Sequence, residues 1–312
     1  MGENKEKLTK NASKSRLLPL TKDIAAGFGM GVAFIIPGFS GGSVAAILGI
    51  YEKLVGAIAD IFKSFKRSIV VLAPIVLGLV LGAVSLMFPL EWALGAFPLP
   101  TVCIFVGLAI GGMPTIIEKL KGRITLTNII AFIIPATLVI GVAFLPMSAD
   151  KNLFDLSFGG YALLFLIGII GSAALVIPGI SGSMLLLILG YYNPILDLIT
   201  NNLFKGVNVG VALLVLVCVG VGIIVGFIAI SVLMKQLLRK YTRGTYFAIF
   251  GFIVGSIPTI FITTVKDFYT SVGVSLPTSV PFWIISVLLL LVGAAMSLSL
   301  VLVAKRGRSR EE

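Results

Sequence analysis

The sequence predicts an all-α polytopic membrane protein made of an inverted-topology repeat, each copy a re-entrant helical hairpin followed by three transmembrane helices. Three observations lead there: a composition too apolar for a soluble fold, long apolar runs interrupted at two Pro-Gly segments, and self-similarity at a fixed offset. Of 312 residues, 58% are apolar and 12% charged, half the usual ~25%. Mean hydropathy is +1.13, so the solvent for most of this surface is a bilayer. The chain has no histidine, which removes imidazole acid–base chemistry and His-ligated metals. Cys103 and Cys218 lie inside apolar runs without disulfide or metal spacing and read as core thiols; neither a metal nor a cofactor is expected.

The net charge of +11 is distributed as membrane-flanking charge rather than as a nucleic-acid surface, because Lys and Arg cluster between apolar runs. Residues 1–22 form a basic tail (Lys5, Lys7, Lys10, Lys14, Arg16, Lys22). A signal peptide is the rival reading of the start, but the same pattern recurs in mid-chain, where no signal peptide operates. The opening Met1-Gly2-Glu3-Asn4-Lys5-Glu6 lacks the Ser/Thr of a myristoylation site.

A hydrocarbon core of ~30 Å takes about 20 helical residues. Six runs meet this: 68–90, 99–117, 124–146, 206–234, 244–265 and 281–304. Two regions differ. Residues 24–36 and 43–61 flank Pro37-Gly38-Phe39-Ser40-Gly41-Gly42, and residues 159–177 and 183–200 flank Pro178-Gly179-Ile180-Ser181-Gly182. Proline cannot continue a helix and glycine permits the turn, so each region reads as two arms around a break. If both regions (24–61 and 159–200) return to the side they entered from, 20 of the 24 cations fall on one face. A single crossing at the first break would put Lys63, Lys66 and Arg67 on the other face. The positive-inside rule therefore favours two hairpins and cytoplasmic termini, with 305–312 a second short tail.

Aligning Ile36–Tyr51 with Ile177–Tyr192, at offset 141, gives nine identities in sixteen positions. At offset 144, Gly107, Gly111, Pro114, Thr115 and Ile116 match Gly251, Gly255, Pro258, Thr259 and Ile260, and Gly78/Gly82 match Gly222/Gly226. The chain thus divides into residues 23–146 and 147–304. An odd number of spans per unit turns the second copy upside down, an arrangement typical of transporters whose broken helices meet near mid-membrane. A duplicated structural bundle is the plainer alternative, but non-helical backbone at membrane depth has to be buried or line a wet cavity.

The helix following each break, from Ser43 or Ser183, presents unpaired N–H groups and a dipole's positive end. Its glycines admit close approach, and Ser40, Ser43, Ser181 and Ser183 add hydroxyls. Pro37, Gly38, Ser40, Gly41, Gly42 and Ser43, with Pro178, Gly179, Ser181, Gly182 and Ser183, therefore form a candidate anion site, phosphate being the usual occupant. Capping alone is the simpler role for the serines. Glu52 lies opposite Asn193 in the repeat; it can accept a proton, pair with Lys53 or Arg67, or sit solvated at the interface. Asp23 reads as a cap of the first arm, Asp60 and Asp197 as interfacial, and Glu91, Asp150, Asp155 and Asp267 as loop carboxylates. The Gly-x3-Gly pairs suit close helix packing.

The motifs Ile36-Pro37-Gly38-Phe39-Ser40-Gly41-Gly42-Ser43 and Ile177-Pro178-Gly179-Ile180-Ser181-Gly182-Ser183, each running to a Leu-Gly-x-Tyr, resemble those of the bacterial polyprenyl-phosphate transporter family, over residues ~20–304. The resemblance implies a non-enzymatic flippase in the plasma membrane that returns undecaprenyl or polyprenyl phosphate from the outer to the cytoplasmic leaflet for cell-wall synthesis. It also implies that the two breaks, and less directly Glu52, serve this. On the residues alone a transporter of a small soluble anion stays open, as does a membrane-embedded lipid-phosphate enzyme; the lack of histidine and of an Asp-rich metal cluster argues against the latter. No charged ring or selectivity-filter sequence suggests a channel.

Overall fold

The computed structural model describes residues 20–34, 40–146, 148–179, 182–199, 206, 208–264, 269, 277 and 279–308. Among these the chain is helical, without a strand. Helix α1 covers 20–34. It is followed by α2 (Gly41–Ile47), α3 (Tyr51–Ala59), α4 (Phe65–Ala96), α5 (Pro98–Leu120) and α6 (Leu126–Val142). The second half brings α7 (Phe158–Val176), α8 (Gly182–Ile188), α9 (Tyr192–Asp197), α10 (Val209–Lys240), α11 (Thr242–Thr264) and α12 (Val280–Arg308).

Among the described residues five helices are long and apolar enough to cross a membrane: α4, α5, α10, α11 and α12. The run expected at 124–146 is shorter as a helix. The Thr125 hydroxyl accepts from the Asn128 N–H at its start, and the chain turns after Val142, which leaves 17 residues, about 25 Å. Outward-facing Val80, Val84, Ile224, Leu288 and Leu291 are about half exposed or more, as lipid-facing side chains are.

Contacts between α1 and the segments after it fix the course of the chain. Gly41 abuts the Phe34 ring, Gly29 faces Val44 and Leu48, and Lys53 pairs with Asp23. As one number falls the other rises, so α2 and α3 double back along α1. Helix α4 then runs parallel to α1: Gly27 touches the Ile75 carbonyl, Gly31 that of Leu79, Gly78 that of Ile24 and Gly82 that of Phe28. Helices α7 and α10 meet in the same way, with Gly168 on the Val219 carbonyl and Gly222 on that of Phe165.

The returning arm is not one helix, as the sequence suggested, but two. Helices α2 and α8 both end on a left-handed glycine, Gly49 (φ 72°) and Gly190 (φ 76°). In each the N–H beyond the glycine reaches back five residues, Ile50 to Ala45 and Tyr191 to Leu186, both at 2.9 Å. This is the Schellman ending, and it needs the positive φ that glycine gives cheaply. The Leu-Gly-x-Tyr motif therefore encodes a second interruption. The helices after the breaks also start earlier than read from sequence, at Gly41 and Gly182 rather than Ser43 and Ser183.

The halves interlock through the remaining glycines. Gly107 and Gly111 of α5 lie on the Leu290 and Ala294 carbonyls of α12, and Gly251 and Gly255 of α11 lie on those of Phe132 and Ala136 of α6. Each second helix of one half thus packs on the last helix of the other. A Cβ on Gly107 would come 2.0 Å from the Leu290 oxygen, whereas one on Gly220 meets nothing within 4 Å. Gly107→Ala should therefore lower the melting temperature of the purified protein, because backbone has to move. Gly220→Ala should hold or raise it, by up to about 1 kcal/mol of helix propensity. Equal effects of the two would contradict this packing.

Candidate functional site

Helix α2 lies at the heart of the bundle. Ala45, Ala46 and Ile47 belong to one buried cluster with Val106 and Ala109 of α5, Val176 of α7, and Ile249 and Ile253 of α11. Gly112 of α5 gives Ile47 its place, since a Cβ there would sit 1.8 Å from the Ile47 methyl. Of the first break, Ser40, Gly41, Gly42 and Ser43 are buried, while Pro37 and Gly38 lie outside the described residues. Of the second, Pro178 and Gly179 are buried and Gly182 begins α8. Ser181 and the side chain of Ser183 lie outside the described residues. Gly179 adopts φ 87° and backs onto the Phe252 carbonyl.

Ser40 occupies the N-cap position of α2, yet its side chain makes no capping bond. Its carbonyl instead accepts from the Ser43 N–H (3.0 Å) and the Val44 N–H (3.3 Å). The hydroxyls of Ser40 and Ser43, residues exposed by 3% and 1%, are both buried without a hydrogen-bond partner among the described residues. A buried hydroxyl left unpaired costs on the order of 1–3 kcal/mol, so these two are expensive as plain structure and available to a ligand. Capping therefore does not account for them. The cluster that packs around α2 is aliphatic and aromatic, and the chemistry Ser40 and Ser43 add to it is hydroxyl and backbone N–H donation.

The two break regions are tied together. The Tyr51 hydroxyl, at the start of α3, donates to the Val176 carbonyl at the end of α7, 2.9 Å away and fully buried. Sequence reasoning missed this residue as an inter-half link; its signal was the Tyr of the Leu-Gly-x-Tyr motif. The repeat is unequal here, because Tyr192 is only half-buried. Ser43 likewise corresponds at offset 141 to Met184, and Ser183 to Gly42.

The carboxylates assort differently from the sequence reading. Asp23 is no cap: it lies inside α1 and accepts from Lys53 at 2.7 Å. Glu52 consequently pairs with neither Lys53 nor Arg67. It accepts from the Tyr246 hydroxyl and lies 3.5 Å from the Lys119 ammonium, half exposed, at the pole where α5 ends and α11 begins. Lys119 also sits over the Tyr246 ring, and Arg243 donates to the Leu120 carbonyl. Asp60 pairs with Lys235 of α10. At the opposite pole Asn193, the counterpart of Glu52, donates to Asp150. Among the described residues no group of three or more metal-ligating side chains occurs.

A polytopic helical membrane protein with interrupted helices buried at its centre is the class these observations define. The chain belongs to the undecaprenyl phosphate translocase-like family, which it matches over residues 30–274. It is 31% identical to the polyprenyl-phosphate transporter of Staphylococcus aureus (strain NCTC 8325 / PS 47) over 287 residues, 89% of this chain and 95% of that one. It is 27% identical to the polyprenyl-phosphate transporter of Vibrio cholerae serotype O1 (strain ATCC 39315 / El Tor Inaba N16961) over 249 residues, 75% of each. No solved structure matches.

The hydrogen-bonded Lys235 ammonium, helped by Lys63 and Arg67, holds the Asp60 carboxyl below the usual carboxylate range. A folded-state pKa below the unfolded one stabilises above the unfolded value, about 3.9, and the contribution is lost as pH falls through the folded value. Asp60→Asn should therefore lower the melting temperature by a constant amount from about pH 7 to pH 5, with the gap to wild type closing in stronger acid. A gap that widens in acid would contradict the pairing.

Proposed function

We propose that this protein is a flippase for polyprenyl phosphate, carrying the lipid's phosphate head through the membrane while the isoprenoid tail stays in lipid. The observation that carries the reading is the pair of buried, unpartnered hydroxyls of Ser40 and Ser43 in the middle of an apolar bundle. A bare ionised head in hydrocarbon costs tens of kcal/mol in the idealised limit. Hydroxyl and N–H donors at mid-depth replace part of its hydration without placing a permanent charge there. The names of the two relatives, both polyprenyl-phosphate transporters, agree with that substrate.

In this reading residues 24–61 and 159–200 are re-entrant hairpins in halves of opposite orientation. Support comes from α2 and α3 doubling back along α1, from the parallel course of α4, and from the reciprocal packing of α5 on α12 and α11 on α6. The head lies between the two breaks, within reach of Ser40, Ser43 and, from the second half, Ser181 and Ser183, with Gly41, Gly42, Gly179 and Gly182 keeping the backbone accessible and Pro37, Gly38 and Pro178 shaping the turns. Glu52, which contacts the Tyr246 and Lys119 side chains at one pole, gates or couples the step in this reading. The termini lie in the cytoplasm of a bacterial cell, and transport runs from the outer to the cytoplasmic leaflet, which returns carrier lipid to cell-wall synthesis. The protein moves the phosphate ester intact and catalyses no bond cleavage.

Liposomes holding purified protein and a labelled polyprenyl phosphate test this. Wild-type protein should equilibrate the label between leaflets, and the Ser40→Ala/Ser43→Ala protein should do so at least about tenfold more slowly, the worth of one or two hydrogen bonds to a charged group. Its melting temperature should not fall, since no internal bond is lost. Wild-type rates in the double variant would overturn the assignment of the head to this site.

A further inference from the structure

Helix α3 packs against α10, a contact between the two halves, and leaves a groove of ≈ 460 Å³ at the basic pole. Lys63, Lys235, Arg239, Lys240, Gln236 and Asp60 line it, with Ala59 and Val232 as its apolar wall. Four cations thus face one carboxylate, and that carboxylate is already engaged by Lys235. Lys240 rests over the Tyr241 ring. Lys63 and Arg239 form no ion pair among the described residues. Two other grooves lack this excess. The one between α3 and α4 balances Lys53 and Arg67 against Glu52 and Asp60, and the one at the far pole sets Lys151 against Asp150 and Asp197.

Two features extend the groove in different directions. Val232 continues at helical spacing into Val225, Ile224 and Val221, all exposed on the outer face of α10, an apolar track for a hydrocarbon chain. Ser231 lies one turn before Lys235, hence on the same side of α10. It is fully buried and its hydroxyl has no partner among the described residues, so a polar step leads from the groove towards the interior.

We infer that this α3–α10 groove is a second binding site, one that docks the phosphomonoester head of a lipid at the basic pole with the lipid's chain laid along α10. The inference rests on the flippase reading and adds to it a terminal station. A dianionic head leaving the uncharged mid-depth site meets a cluster of cations at one pole and, in the far-pole groove, a slight acidic excess. The electrostatic bias thus favours residence at the basic end. Basic pockets between membrane helices hold lipid head groups in this manner, and the mixed wall excludes a free anion as the preferred occupant, because Val232 and the α10 track contribute only if a chain is attached.

The test uses full-length protein in nanodiscs of zwitterionic lipid and measures binding of a polyprenyl monophosphate, against neutral polyprenol, phosphatidylglycerol and inorganic phosphate as separate competitors. Wild type should bind the monophosphate and be displaced poorly by each competitor. Lys63→Gln/Arg239→Gln, which leaves the Asp60–Lys235 pair intact, should bind the monophosphate roughly 10- to 30-fold more weakly, with a shallower salt dependence and a melting temperature lowered less than by Asp60→Asn, since Lys63 is only a minor support of the Asp60 carboxylate. Arg239→Lys should keep most of the affinity. Unchanged affinity in the double variant overturns the groove, as does equal competition by phosphatidylglycerol or by inorganic phosphate. Failure of wild type to bind or translocate the monophosphate would instead overturn the flippase reading, so the two failures are distinct.

Discussion

Everything in this structure follows from the need to enclose a broken backbone where there is no water. Interrupting a helix frees N–H and C=O groups, and hydrocarbon offers them no partner. The chain meets that need by wrapping the interrupted segments in helices that approach unusually closely. Glycines at 27, 31, 78 and 82, at 168, 222 and 226, and at 107, 111, 251 and 255 put helix backbones within reach of one another's carbonyls. That closeness brings α5, α7 and α11 around α2, so the residues that follow the first break, from Ser40 to Ile47, lie mostly buried in protein.

The same enclosure explains why the centre can be both apolar and useful. A charge buried there would need a permanent partner, and the partner would then compete with any anion. In the proposed reading Ser40 and Ser43 avoid that conflict, because the cost of an unpaired hydroxyl, though considerable, is well below that of an unpaired buried charge and is recovered when an anion binds. Cations gather instead at a pole, where Asp60, Glu52 and Asp23 tie down three of them, Lys235, Lys119 and Lys53. Tyr51 joins the two systems, lying one residue from Glu52 while its hydroxyl holds the end of α7.

Much of this was legible in the sequence for identifiable reasons. Apolar runs of about 20 residues have few alternatives to spanning helices, and the offset of 141 between the two Pro-Gly segments was visible because turns constrain residue type more strongly than helices do. The Gly-x3-Gly spacing announced close packing but not its partners, since a glycine records that a backbone approaches and not which one. The Leu-Gly-x-Tyr break was missed because Gly49 and Gly190 sit inside apolar stretches that read as continuous helix. The partners of Glu52 and Asp23 were equally beyond reach: Tyr246 lies 194 residues from Glu52, and an ion pair leaves no local pattern. The length of α6 depended on Thr125 and on a turn after Val142, neither of which alters the hydropathy of the run.

The central claim is that the phosphate head passes through the interior between the two broken segments. A polyprenyl phosphate analogue carrying a photoreactive group next to its phosphate measures this directly, through mass-spectrometric location of the adducts formed on irradiation. The account predicts adducts within residues 40–47 and 177–188, lost when unlabelled lipid is added in excess. Adducts confined to the outer faces of α4, α10 and α12 would place the head at the protein–lipid boundary and contradict it.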